Sequence, residues 1–173
     1  MRVEKLSDIK KELRSLNAEA LTEICLRLAK YKKDNKELLS YLLYEAENPL
    51  NYAEEVKSTL LLSFQSLNRS AYTSTKEIRK IVRLLAKHAK YTGSKEVEIE
   101  LLLWFCTNFL RYADTRSSHK PLQAIFSRQM EKIKRMLPKL HEDLQFDYSA
   151  TYRNILDEAD NKVRFFNKND FQL

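Results

Sequence analysis

A single glycine, Gly93, among 173 residues, together with only three prolines, limits this chain more than any other feature. Glycine is the usual residue for turns at positive φ, for β-hairpin loops and for backbone that wraps a phosphate. A chain nearly without it cannot make many such turns. The expectation is an all-α protein of helices joined by polar breaks. No Gly-x-Ser-x-Gly elbow, Walker loop or pair of catalytic carboxylates stands in the sequence, so a non-enzymatic role is expected.

Apolar spacing supports helices at about 3–14, 18–32, 35–47, 52–67, 75–91, 95–113, 120–143 and 149–166. Asp34-x-x-Glu37, Asn51-x-x-Glu54 and Ser74-x-x-Glu77 have the capping-box form, in which a side-chain oxygen accepts from an orphan amide. Asn48-Pro49 is expected to stop the third helix, Gly93 to cap the fifth, and Pro138 to bend or end the seventh. Pro121 suits a helix first turn. In the sixth helix Val97, Leu101 to Cys106, Phe109 and Leu110 leave hardly any polar face. Such a helix must be covered on several sides, so Trp104 and Phe105 are expected buried at the centre.

Ile24–Lys30 followed by Glu37-Leu-Leu echoes Ile81–Lys87 followed by Glu100-Leu-Leu-Leu, which suggests stacked helical hairpins. The favoured arrangement is a right-handed α-α superhelix of the general HEAT or armadillo type, with an irregular helical bundle as the alternative. One domain over 1–166 with a polar, loose tail at 167–173 is expected. The segment Leu13–Lys30 with Lys36–Leu43 resembles the opening of small uncharacterised bacterial helical proteins. That resemblance implies a helical fold and carries no activity or site residue with it.

Cys25 and Cys106 lie in apolar helical patterns and are expected buried, reduced and inert, consistent with a cytoplasmic protein. The opening Met1-Arg2-Val3-Glu4-Lys5 has no apolar stretch of signal-peptide type, and no apolar run is long enough to span a bilayer, so no membrane contact is expected. His88, His119 and His141 are scattered away from other ligand types, so neither a metal nor a cofactor is expected.

The net charge of +7 is unevenly placed: residues 51–93 carry 8 Lys/Arg against 3 Asp/Glu, and 120–140 carry 6 against 1. On the fifth helix Lys76, Lys80, Arg83, Lys87 and Lys90 fall within an arc of about 80°, opposite Ile78, Ile81, Val82, Leu85 and Ala89. The seventh helix repeats this with Arg128, Lys132, Arg135 and Lys139. The preceding loops each bring an Arg, Arg69 or Arg116, to a helix start, where free amides favour an anion. Tyr72 and His119 stand in the same loops as candidates for stacking on a base.

The expectation is a basic surface for nucleic acid or another polyanion, with Arg69, Lys76, Lys80, Arg83, Lys87, Arg116, Arg128, Lys132 and Arg135 as the contacts. The bland reading is a solvated face opposite a core. The alternative function is a protein-interaction scaffold, with an acidic partner on that surface or a homodimer through exposed Leu and Tyr of the first two helices.

Overall fold

The computed structural model describes residues 3–68 and 70–173. Among them are eight α-helices and no strand: α1 (Leu6–Ser15), α2 (Ala18–Tyr31), α3 (Lys33–Tyr44), α4 (Pro49–Gln65), α5 (Ala71–Thr92), α6 (Lys95–Tyr112), α7 (Lys120–Met136) and α8 (Glu142–Lys162). Two 3-10 turns, Leu137–Lys139 and Lys168–Phe171, complete the described structure. No helix of the described residues is long and apolar enough to cross a membrane.

Where the sequence suggested one domain over 1–166, the contacts divide the chain into two compact units, Met1–Ala46 and Glu47–Leu173. In the first, α2 and α3 form a hairpin. Tyr41 is the only buried residue of α1–α3. Leu28 and Leu42 are more than half exposed and, with Cys25, Ala29, Leu38 and Leu39, line a groove of about 270 Å³. Cys25 is exposed, against the expectation of burial, on a hairpin whose apolar residues Leu28 and Leu42 are themselves exposed.

In the second unit α4 packs on α5 and α6, α5 on α6 and α7, and α6 on α7 and α8. That ladder is the pattern of stacked hairpins. The two echoing segments fall in the hairpins α2–α3 and α5–α6.

Helix α6 is the centre, with Val97, Ile99, Leu101, Phe105, Cys106 and Phe109 all buried. Phe105 is fully covered, but Trp104 is only partly buried, which corrects the expectation for that residue. Its ring packs edge-on against Phe64 of α4 at 5.5 Å. Burial pushes the Cys106 thiol well above its ordinary pKa, so the neutral, unreactive form is favoured.

The helix starts differ from the capping-box reading. Asn48 caps α4 by accepting from the Asn51 amide, with Pro49 in the first turn, so the proline opens α4 rather than closing α3. Ser74 is inside α5 and donates to the Ala71 carbonyl, and Lys32 caps α3 without a side-chain bond. The side-chain N-caps that form on the α-helices are Asn17, Asn48 and Ser94. Gly93 closes α5 at φ +62°, its amide donating to Ala89. Pro138 follows the end of α7 inside the first 3-10 turn.

The C-terminal residues are docked rather than loose. The Tyr152 hydroxyl donates to the Phe171 carbonyl at 2.7 Å, and Phe171 stacks on Phe166 with ring centroids 4.7 Å apart. Polar composition concealed the one aromatic side chain that holds this segment down.

Candidate polyanion-binding surface

The inward face of α5 is set by its buried stripe of Ile78, Ile81, Leu85 and Ala89, spaced at three and four residues. The same periodicity drives the cations outward. Lys76, Lys80, Arg83 and Lys90 are exposed, and Lys87 is partly buried. Arg79, not singled out by the arc, is exposed beside them. Six Lys/Arg stand on this helix against one carboxylate, Glu77.

None of Lys76, Arg79, Lys80, Arg83 or Lys90 forms an ion pair among the described residues. Lys76 instead lies over the Tyr72 ring, 5.1 Å from its centroid, and Lys87 lies 5.9 Å from that of Tyr91.

The stripe on α7 is different. Lys132 pairs with Glu98 of α6, and the Arg135 Nε sits 3.7 Å from Glu131. Carboxylates thus answer two of its three predicted contacts, leaving Arg128 exposed without an ion pair among the described residues. Glu98 lay in a run of alternating acids, and only the packing of α6 on α7 reveals that it faces Lys132.

The two helices adjoin. Val82 and Ala86 of α5, Glu98 of α6, and Gln129 and Lys132 of α7 line the seam between them. It holds about 20 Å³, room for roughly one water.

Arg116 is exposed in the loop before α7, where the Arg164 amide donates to the Thr115 carbonyl at 3.0 Å and steadies the backbone. Arg69 lies outside the described residues. Tyr72 and His119, 47 positions apart in sequence, come together with ring centroids 6.2 Å apart.

A second polar cluster is centred on Lys57 of α4. Lys57 falls in register with Ala53, Leu60 and Phe64 on the buried stripe of α4. Its ammonium reaches Glu100 at 2.7 Å and Glu54 at 2.5 Å. Burial pulls its pKa down, but the hydrogen bonds and attraction of the two carboxylates outweigh this, and the pKa is raised. Tyr148 of α8 is pushed far above the ordinary phenol value, by burial first and then by Glu100 and Glu96. The available signal was a lysine at the spacing of core residues. Its partners made the cluster a structural tie between α4, α6 and α8.

No protein-family model, curated protein or solved structure matches this chain. Among the described residues no group of three or more His, Cys, Asp or Glu is placed to hold a metal ion.

Proposed function

We propose that this chain is a non-enzymatic helical module that binds nucleic acid or another polyanion through the ridge on α5. One contrast carries the reading. Lys57, Lys132, Lys162 and Lys168 are each paired with carboxylates, whereas Lys76, Lys80 and Arg83 stand exposed in line with no such partner among the described residues. Like charges at i,i+4 cost a helix about 0.2–0.5 kcal/mol per pair, and a face serving solubility alone mixes both signs. Phosphate contacts of this kind give affinity without sequence choice.

The test is a fluorescence titration of labelled nucleic acid at several salt concentrations. Binding at roughly micromolar affinity in low salt, weakening steeply as salt rises, is expected. Absence of binding at low salt would leave α5 a solvated face.

A second reading rests on the groove of Cys25, Leu28, Leu38, Leu39 and Leu42, which fits an interaction scaffold or a homodimer. Sedimentation of the native chain against Leu28→Ser/Leu42→Ser distinguishes these: a dimer dissolved by the variant supports pairing through this groove, and a monomer in both excludes it.

A further inference from the structure

We propose that the nucleic acid engaged by the α5 ridge is single-stranded, with Tyr72 as the platform on which one unpaired base stacks; this rests on the polyanion reading above. Tyr72 occupies the first turn of α5 and precedes Lys76 by four residues, so its direction lies about 40° from that of Lys76 and within the arc of the ridge. The order along one face is therefore an aromatic ring, then Lys76, Lys80 and Arg83, with the cations rising about 6 and 4.5 Å along the axis. Aromatic rings joined to a line of cations recognise an unpaired strand, because every base offers a π-face and every linkage a phosphate. In a duplex the bases are already paired and stacked, and a ring at the head of the ridge has no face to meet.

The surroundings of Tyr72 fit that role better than a packing role. The side chain is 64% exposed and takes no part in the core. It is held instead by two neighbours, Lys76 over the ring and His119 at a 73° interplanar angle. The backbone of His119 is itself held, its amide donating to Ser117 Oγ at 3.1 Å and its carbonyl accepting from the Leu122 amide at 3.0 Å. The ring is thus oriented while remaining largely open to solvent, and the Lys76 ammonium, 5.1 Å from its centroid, stands ready for the adjoining phosphate.

Anisotropy titrations of the full chain with labelled oligothymidylate, an abasic strand of equal length, a duplex and heparin test this. Oligothymidylate is expected to bind roughly tenfold more tightly than the abasic strand. Tyr72→Leu, which keeps apolar bulk without a π-face, should erase that difference, and Tyr72→Phe should keep it. Both variants should leave heparin and abasic-strand binding unchanged, and unaltered Trp104 fluorescence would show that they fold. Equal affinity for the two strands, or an equal loss on every polyanion, overturns the proposal while leaving polyanion binding intact. Failure of the wild-type chain to bind any of the four overturns both.

Discussion

Replacing Lys57 probes whether the second unit is held by a charged tie as well as by its apolar core. Its side chain is 10% exposed, Glu100 is 27% exposed and Glu54 is 65% exposed, so Glu100 is the partner that depends on it. Breaking a fully buried pair by removing one member costs about 3–5 kcal/mol. The residual exposure of Glu100 lets water screen the orphaned carboxylate, which lowers that to about 1–2 kcal/mol for Lys57→Met. Lys57→Ala also strips the buried methylene stem, at about 0.8 kcal/mol per CH₂, and should reach about 3–4 kcal/mol. The double change Lys57→Met/Glu100→Gln removes both ions together and should return most of the loss of the single Met variant. Urea unfolding followed by Trp104 reports all three, since that ring packs on Phe64, seven residues along α4 from Lys57. A Lys57→Met variant as stable as wild type, or a double variant no better than the single, would refute the reasoning.

Stability should fall as pH rises beyond about 9–10. The pKa values of Cys106, Tyr41, Tyr148, Tyr152 and Lys57 are all raised in the folded chain, so the unfolded chain loses those protons first. Each fully separated group removes about 1.4 kcal/mol per pH unit, and chemical unfolding at pH 8 and pH 10.5 measures the sum; equal stability at both would contradict it. Cys25 should react rapidly with a thiol reagent in the native chain while Cys106 reacts only on unfolding, giving one label per molecule by mass; two or none would contradict the burial pattern. Gly93→Ala should cost about 1–2 kcal/mol although no atom lies within 4 Å of the added methyl, because φ +62° is strained for any other residue. An unchanged midpoint in urea would show that the cap relaxes.

Helix number and class were legible because scarcity of glycine and clear apolar spacing agree at every level. The centrality of α6 was legible for the same reason, since a helix with no polar face has to be surrounded. The C-cap at Gly93 was legible, but the N-terminal caps were not, because several short polar residues stand near each boundary and tertiary placement chooses among them: Asn48 over Asn51, and Ala71 rather than Thr75 as the start of α5. At the candidate surface the α5 ridge could be read directly, since exposure follows from one helix's own period. The state of α7 could not, because Glu98 approaches Lys132 from a different helix. The meeting of Tyr72 with His119 likewise depends on the packing of α5 beside α7. Cys25 was misjudged because an apolar stripe states what a helix offers to bury, not whether anything buries it.

The salt dependence of nucleic-acid binding by two matched variants tests the role of α5 most directly. Lys76→Gln/Lys80→Gln/Arg83→Gln removes cations that have no ion-pair partner among the described residues, and Lys132→Gln/Arg135→Gln removes cations answered by Glu98 and Glu131. With about 0.9 in the logarithmic salt slope for each phosphate neutralised on duplex DNA, and about 0.7 on a single strand, the α5 triple change should lower the slope by about 2–3. The α7 double change should lower it by less than about 1. Equal slopes for wild type and the α5 variant, or a larger loss from α7 than from α5, would contradict the assignment of binding to the α5 ridge.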